Sequence, residues 1–351
     1  MCTTSKALAR TLLIADDPNG NKTNKATMNI SRRMLALGAA CFLLGVSVHA
    51  SEAQQWPSRT VKVVVPYGVG GVTDIMARLT ADRLSKMLGQ TFVIENKLGA
   101  GGAIGVDYAL HSPQDGYTVL FIGSTLFTVL PLAQKVNYEP LKDLVPVSIT
   151  GTNGMVMVVG KDAPYSTLRE FIDYARAHPG KITYSSGGPA TNNHLSTAYL
   201  AGKEGLDMVH VPFGGGQAAL TAVLSKSVDM HFGNSSDLIE PVRAGTVKAL
   251  AVSTPKRMPQ LPDVPTVAET VPGYEYVAWN GYAVTGGVPA EVSQKLAEAL
   301  RLIAKDAEVI KTFGNLGIES TGTTQEAAIA SIRKDMPVYA QMVDMAGVRK
   351  K

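Results

Sequence analysis

Three glycine-rich turns, residues 66–74, 185–194 and 212–218, are the segments best suited to binding chemistry. Each follows a short apolar run and precedes a stretch with helical periodicity. Glycine permits positive φ angles and lets main-chain N–H groups approach a ligand closely. The start of the next helix adds N–H donors without acceptors and a positive dipole end. Such turns predict capture of an anionic group without a cationic side chain, although each alone could be a tight, helix-capping connection.

Acid–base side chains beside these turns raise the alternative of an enzyme. Asp74, Asp237 and His194 are residue types that a hydrolase or lyase could use. The sequence offers no nucleophile–base–orienter motif, no GxSxG elbow and no GxxxxGK[ST] phosphate loop. Both aspartates could equally cap helices, and His194 could lie at a helix start with its ring hydrogen-bonded within the protein. We therefore predict no catalytic residues.

Residue spacing also argues against a resident cofactor or metal ion. Residues 99–105 resemble a dinucleotide fingerprint, but Ile104 stands where the third glycine is needed. The histidines are scattered without an HxxxH pair, and both cysteines, Cys2 and Cys41, lie near the N-terminus. We predict neither a cofactor nor a metal site.

Composition and charge place the chain among globular proteins that do not bind nucleic acid. Hydrophobic residues make up 45% and charged residues 18% of the sequence. Of 33 basic and 29 acidic residues, six and three fall within residues 1–53. The rest of the chain is therefore nearly neutral and carries no basic stripe, which excludes the usual electrostatic footprint for nucleic acid.

Residues 1–53 have the pattern of an export signal. A pair of arginines precedes an apolar run over residues 34–48, and small residues follow, with Ala50 and Ala53 as candidate cleavage positions. The run is too short for a stable membrane anchor. We predict export to the periplasm, by the general secretory or the twin-arginine route, from a start at Met28 or at the first methionine.

The remaining chain alternates strand and helix patterns. A β-branched run at residues 61–65 is followed by an amphipathic stretch at 74–88 and another strand at 92–94. This order predicts an α/β fold with a parallel, doubly wound sheet, and a second α/β unit begins near residue 155.

No linker separates the two units, so we expect the chain to pass between them more than once. We place the crossings near Val156 and near Ala283. Lobe 1 then comprises residues 54–156 and 284–351, and lobe 2 comprises residues 157–283.

Eight segments between Trp56 and the C-terminal region occur in a specific order and spacing. They read VPYGVGGVTDIMAR, VIENKLGAGGAIG, DGYTVLF, YSSGGPATNNHLS, HVPFGGGQAAL, VKALAVSTPKR, LPDVPTVAET and WNG. In these segments the sequence resembles the substrate-binding receptors of tripartite tricarboxylate transporters, also called Bug receptors. The resemblance implies a two-lobed periplasmic binding fold of type II (a Venus flytrap), each lobe a mainly parallel sheet flanked by helices.

The resemblance also implies a site and partners. The ligand would be a small organic carboxylate, held largely by main-chain and small polar groups and partly through water, and membrane permease subunits would receive it from a monomeric receptor. The sequence departs from the family pattern at residues 68–69, 214–216 and 286–289, and the first two departures leave the identity of the carboxylate open. Carried over by motif, the ligand-binding residues would be Tyr67, Gly70, Gly71, Asp74, Ser124, Ser186, Gly187, Thr191, His194, Phe213, Gly214, Gly215, Ala218, Asn234 and Asp237.

We therefore predict a periplasmic receptor that closes two lobes around a carboxylate and is not an enzyme. Two alternatives remain at this point, a periplasmic sensor that presents ligand to a signalling partner and a small-molecule hydrolase. Sequence does not separate transport from sensing, because the binding site would be the same in both.

Overall fold

The computed structural model describes residues 55–350, and the predicted export signal with its cleavage positions lies outside them. Within this range the strands form two separate sheets, one of six strands and one of five. In chain order the strands are β1 (Val61–Val65), β2 (Phe92–Asn96), β3 (Thr118–Gly123), β4 (Leu144–Asn153), β5 (Met155–Gly160), β6 (Thr183–Ser186), β7 (Val209–Pro212), β8 (Met230–Asn234), β9 (Val247–Val252), β10 (Ala278–Thr285) and β11 (Ile318–Ser320).

Helices alternate with these strands, as the sequence predicted. Among the helices of residues 55–350, none combines the length and apolar character needed to cross a membrane. Two 3-10 turns, Ala100–Gly102 and Val267–Glu269, supplement them. In chain order the helices are α1 (Val72–Leu88), α2 (Ala103–Leu110), α3 (Thr125–Thr128), α4 (Leu130–Ala133), α5 (Leu168–Ala177), α6 (Asn192–Glu204), α7 (Gly216–Leu224), α8 (Ser235–Arg243), α9 (Ala290–Ile303), α10 (Ala307–Asn315) and α11 (Gln325–Met345).

The two sheets are built alike. The first has the order β11-β4-β10-β3-β1-β2 and the second the order β7-β6-β8-β5-β9. β1 pairs in parallel with β2 and β3, and β6 does so with β7 and β8. β10 runs antiparallel to β3 and β4, and β5 runs antiparallel to β8 and β9. The predicted α/β fold with two sheets is confirmed, and antiparallel strands join each parallel set. We call each sheet with its helices a lobe, the first having six strands and the second five.

The directions of the two antiparallel strands β5 and β10 are a consequence of how the chain changes sheet. The chain passes from the first sheet to the second at Gly154, between the end of β4 and the start of β5. It returns to the first sheet in the segment between the end of β9 and the start of β10. A strand that enters a lobe from the other lobe starts at the edge where the parallel strands end. It must therefore run against them, as β5 and β10 do.

The second change of sheet comes earlier than we expected. β10 pairs with β3 and β4 over Ala278–Thr285, so residues 278–283 lie in the first sheet and not in the predicted second lobe. Every residue of this strand is buried. Its apolar pattern would suit the centre of either sheet, so the local sequence does not reveal which sheet it joins.

The central strands of both lobes are buried on both faces. Val63 and Val65 pack into one core cluster of the first lobe and Val64 into another. In the second lobe, Met157 of β5 packs into one cluster and Val158 into another. Near-continuous β-branched and apolar runs of this kind are expected where helices cover both faces of a sheet.

The C-terminal helix α11 belongs to both lobes. Ala328 and Ile332 near its start pack into the first-lobe core with Trp279. Tyr339 and Met342 near its end pack into the second-lobe core. The last part of the chain, which the sequence assigned wholly to the first lobe, therefore also completes the hydrophobic core of the second.

Candidate ligand-binding cleft

A cavity of about 120 Å³ lies at the edge where the parallel strands of both sheets end. This is the edge at which open α/β sheets bind ligands. All the residues that line it are uncharged, and most offer a hydrogen-bonding group. The first lobe contributes Tyr67, Val72, Thr73, Gly123, Ser124, Thr125, Asn153, Ala278, Trp279 and Asn280, and the second contributes Asn192 and Asn234.

The first turn of α1 forms part of the cavity wall. Val72 and Thr73 line the cavity, and the first helical bond of α1 runs from Ile75 N–H to the carbonyl of Gly71. Helix geometry leaves the N–H groups of Val72, Thr73 and the next residue without helical acceptors. With the positive end of the dipole of a 17-residue helix, these donors suit an anionic group.

Asp74 holds this loop from behind. Its side chain is 1% exposed and accepts hydrogen bonds from Gly70 N–H at 2.9 Å, from Arg78 at 2.8 and 3.0 Å and from Asn96 Nδ2 at 2.9 Å. Burial alone would raise the pKa of Asp74, but these donors outweigh it and hold the pKa below its usual range. Asn96 also donates to the carbonyl of Tyr67. Asp74, which we expected to contact ligand, is thus absent from the cavity wall and fixes the glycine turn instead.

Three hydroxyl groups of the first lobe surround the cavity at the ends of β1 and β3. Tyr67 and Thr125 have their hydroxyl oxygens 3.5 Å apart, and burial raises the pKa of Tyr67, which keeps its hydroxyl protonated. Ser124 donates its N–H to the carbonyl of Trp279 and accepts a hydrogen bond from Tyr339 Oη of α11 at 3.0 Å. Tyr67 and Ser124 were predicted site residues, and both line the cavity.

Thr73 and Asn280 line the cavity although the sequence did not single them out as site residues. Thr73 Oγ1 donates to Asn280 Oδ1 at 2.9 Å, linking α1 to β10. This bond leaves Nδ2 as the remaining donor group of the Asn280 amide. Both residues fall within segments that carried the family resemblance. The motifs therefore contained a signal for each residue, but nothing in the sequence indicated that the two side chains are in contact.

Two asparagines form the second-lobe wall. Asn192 is the first residue of α6, and Asn234 ends β8 and precedes α8. Asn192 Oδ1 is buried, and no hydrogen-bond partner for it occurs among residues 55–350. Asn234 was a predicted site residue, whereas its neighbour in the cavity, Asn192, was not.

The loop between β6 and α6 is held by its own hydrogen bonds. Ser186 Oγ lies 2.6 Å from His210 Nε2 and also accepts from Gly188 N–H at 3.1 Å. Thr191 Oγ1 donates to the carbonyl of Gly188 at 2.7 Å. Ser186, Gly187 and Thr191 are therefore positioned next to Asn192 but do not themselves line the cavity.

His194 lies in a stack of aromatic rings and not in the cavity wall. Its ring is parallel to that of His210, with centroids 3.8 Å apart, and Tyr184 continues the stack. It is 4% exposed, and Ala190 N–H donates to its Nδ1 at 3.3 Å. Burial, with a smaller contribution from His210, lowers the pKa of His194 to about 4, so the ring is neutral at pH 7. It supports the start of α6 from behind.

The turn before α7 stands beside the cavity and does not form its wall. Phe213 donates its N–H to the carbonyl of Ser186 and packs partly on the second-lobe core. Gly215 has φ 142°, a value that favours glycine, and precedes the first residue of α7. Gly214 and Ala218 are exposed. Of the predicted residues in this turn, none is among the cavity lining.

Asp237 is a carboxylate of a different kind from Asp74. It lies half-buried in the first turn of α8 and accepts a hydrogen bond from Ser236 Oγ at 3.3 Å. Burial raises the pKa of Asp237, and the side chains of Ser236, Asn234 and Gln217 offset only part of that effect. No cation contributes to its environment among the described residues.

Metal ligands do not cluster in residues 55–350, where no group of three or more His, Cys, Asp or Glu side chains could hold an ion. Because the residues that line the cavity are all uncharged, the chemistry available at its wall is that of neutral donors and acceptors. Such a site can orient and desolvate a polar ligand, and its lining contains no acidic or basic side chain beside the hydroxyl groups.

A family model described as the tripartite tricarboxylate transporter family receptor matches residues 76–338. Protein BugT of Bordetella pertussis is 30% identical over 329 residues, covering 92% of this chain and 100% of BugT. The periplasmic binding protein BugD is 31% identical, with a TM-score of 0.73 over 84% of this chain and 100% of BugD.

Two further solved structures contain ligands. Rpa4515 of R. palustris, with adipate, is 30% identical and has a TM-score of 0.76, over 84% of this chain and 99% of that one. MatC of Rhodopseudomonas palustris, with bound malate, is 29% identical with a TM-score of 0.72, over 82% of this chain and 100% of MatC. The predicted periplasmic binding fold is confirmed by these neighbours. The chain belongs to the receptor family of tripartite tricarboxylate transporters, as its eight sequence segments indicated.

Proposed function

We propose that this chain captures a small organic carboxylate in the cleft between its lobes and delivers it, in the periplasm, to the membrane subunits of a tripartite tricarboxylate-type transporter. The observation that carries the proposal is the start of α1, whose first-turn residues Val72 and Thr73 face a cavity lined only by uncharged groups. The adipate and malate held by two relatives support the carboxylate class.

The first lobe supplies donors for the carboxylate. The main-chain N–H groups at the start of α1 are without helical acceptors, and Asn280 Nδ2 remains free to donate. Hydrogen bonds to an ionised carboxylate are roughly twice as strong as neutral ones. Fixed donors of this kind can offset the cost of removing the carboxylate from water.

Capture requires the second lobe to close over the ligand. The two lobes are joined at Gly154, by the segment between β9 and β10 and by α11, and they face each other across the cavity. Closure would bring Asn192 and Asn234 onto the far side of the ligand and exclude water, which strengthens each hydrogen bond. The protein then acts by binding and release, without a chemical step.

Ligand-induced stabilisation tests the carboxylate. The purified protein is heated with aliphatic and aromatic acids and with the matched amides. We expect an acid to raise the melting temperature by mass action while its amide does not, because only the carboxylate accepts charge-assisted bonds at α1. Stabilisation by neutral sugars or nucleotides, with none by any acid, would contradict the proposal.

A substitution in the cleft sharpens the same test. Thr73→Val removes the hydroxyl that orients Asn280 and should weaken binding of the stabilising acid by roughly fivefold, equivalent to about 1 kcal/mol. Thr221→Val, on the exposed surface of α7, is the matched control and should leave affinity unchanged. Delivery is tested separately, by uptake of that acid in membranes with and without the transporter subunits. Uptake that does not depend on the receptor would favour a sensory role.

A further inference from the structure

Asp237 lies in the second lobe between two helix starts, close to the cavity but outside its lining. β8 ends at Asn234, which lines the cavity, and Asp237 follows in the first turn of α8. Its Oδ2 atom lies 3.2 Å from the position that a Cβ atom on Gly216 would take, and Gly216 is the first residue of α7. The carboxylate of the protein itself therefore lies at the place where α7 and α8 would attract an anion.

The charge of Asp237 is not compensated by a cation. Asp237 takes part in no ion pair within 4.0 Å among the described residues, and its side-chain hydrogen-bond donor there is the neutral Ser236 Oγ at 3.3 Å. The second lobe thus presents an unpaired negative charge beside the cavity.

A second acceptor lies on the same side of the cavity. Asn192 Oδ1 is buried without a partner among residues 55–350, and a buried acceptor left unpaired is unfavourable. The first lobe offers N–H donors at the start of α1. The second-lobe wall adds this unpaired side-chain acceptor beside the main-chain N–H groups at the start of α6.

We propose that Asp237 determines ligand specificity, by requiring that the ligand end facing the second lobe carry a hydrogen-bond donor, above all a cationic amino group, and not a second carboxylate. The inference rests on the proposed function, because it assumes that the other end is a carboxylate bound at α1. The ligand class is then an amino-substituted carboxylic acid.

The physical basis is the difference between attraction and repulsion at one position. An ammonium group beside Asp237 would gain a counter-charge and could donate to Asn192 Oδ1 as well. A second carboxylate would meet a like charge in a partly desolvated site, where Coulomb interactions exceed those in bulk water several-fold. Because its own carboxylate already occupies the position between α7 and α8, the second lobe discriminates against diacids.

Matched ligand series test this directly. Calorimetry would compare pentanedioate, pentanoate and 5-aminopentanoate, shorter and longer homologues of each, and the aromatic set benzene-1,4-dicarboxylate, benzoate and 4-(aminomethyl)benzoate. In the best-bound series, the amino acid should bind to the wild-type protein at least about tenfold more tightly than the diacid, a difference of about 1.4 kcal/mol. This comparison needs no variant and so does not depend on how a substitution folds.

Asp237→Asn then tests whether the selectivity belongs to this residue. The isosteric change removes the charge and should lower the preference for the amino acid over the diacid by about tenfold or more. Asp173→Asn, an exposed charge on α5 of the same lobe, is the control for net charge and should keep the wild-type preference.

The outcomes separate the inference from the proposed function. Tighter binding of diacids than of amino acids by the wild-type protein would overturn the inference while leaving carboxylate capture intact. The same preference in Asp237→Asn as in the wild-type protein would also overturn it. Binding of none of the acids would contradict the proposed function itself.

Discussion

The two lobes share a design of strand, glycine turn and helix, yet they treat the ionisable groups behind those turns in opposite ways. In the first lobe, Asp74 is fully buried and surrounded by Arg78, Asn96 and the Gly70 N–H. In the second lobe, Asp237 has no cation beside it. The first carboxylate therefore stabilises a loop, whereas the second lies close to the cavity without an ion-pair partner among the described residues.

The histidines of the second lobe extend the contrast. His194 stacks on His210, and His231 is 1% exposed with its Nδ1 near Ser185. Burial lowers the pKa of both His194 and His231 to about 4. The second lobe thus buries neutral histidines without counter-charges, whereas the first buries a charged group with its partners. Similar glycine turns can therefore be stabilised either by a buried ion pair or by buried neutral side chains.

The largest predicted effect is a loss of stability in acid, caused by the buried histidines of the second lobe. Unfolded histidine has a pKa near 6.5, so the unfolded chain takes up protons that folded His194 and His231 take up only near pH 4. The free energy of unfolding should therefore fall as pH drops from 6.5 towards 4, by roughly 2–3 kcal/mol per pH unit for the two histidines together. Urea denaturation at pH 7, 6 and 5 measures it.

Substitution assigns that pH dependence to the second lobe. His194→Gln should remove part of the slope, whatever its effect on stability at pH 7, because it removes one of the imidazoles whose pKa burial lowers. His178→Gln, on the exposed surface of the same lobe, serves as the control. An unchanged slope in His194→Gln would show that the histidine stack is not the source.

Removing the charge of Asp74 should give the next largest effect. Asp74→Asn leaves Arg78 and Gly70 N–H without their anionic acceptor and should lower the free energy of unfolding by about 1–3 kcal/mol at pH 7. Because the folded pKa of Asp74 is lowered, the difference from wild type should shrink only as pH falls below about 4, where wild-type Asp74 also becomes protonated. Chemical denaturation across this range provides the measurement, and a difference that shrank near pH 6 would contradict it.

The smallest predicted effect is an increase in stability, caused by removing the charge of Asp237. Asp237→Asn should raise the free energy of unfolding at pH 7 by a few tenths to about 1 kcal/mol, because burial without a cation disfavours the charged form. The gain should disappear in acid, as Asp237 of the wild-type protein is protonated. A loss of stability would mean that Asp237 stabilises the start of α8, and the contrast between the two carboxylates would then fail.

Much of the fold could be predicted because its signals are local. β1 and β5 are largely β-branched or apolar runs, and Gly89 ends α1 with φ 71°, as a glycine at a helix end should. The sheet joined by β10 and the double membership of α11 could not be predicted in this way. Both depend on contacts with residues far away in the sequence.

The site was predictable to the level of its turns but not of its side chains. Tyr67, Ser124 and Asn234 line the cavity, whereas His194 and Asp74 face away from it. Which side of a turn faces the cleft is set by tertiary hydrogen bonds. One of these had a sequence signal, since Asp74 and Arg78 are spaced to pair on a helix.

The helix α11 has a consequence for how the molecule loses its structure. Ile332 is part of the first-lobe core and Met342 of the second, within one continuous helix. Melting one lobe would strip the helix from its apolar partners and open the other core. The two lobes should therefore unfold in a single cooperative transition. A ligand bound in the cleft then stabilises the whole molecule against unfolding, including the residues farthest from the cleft.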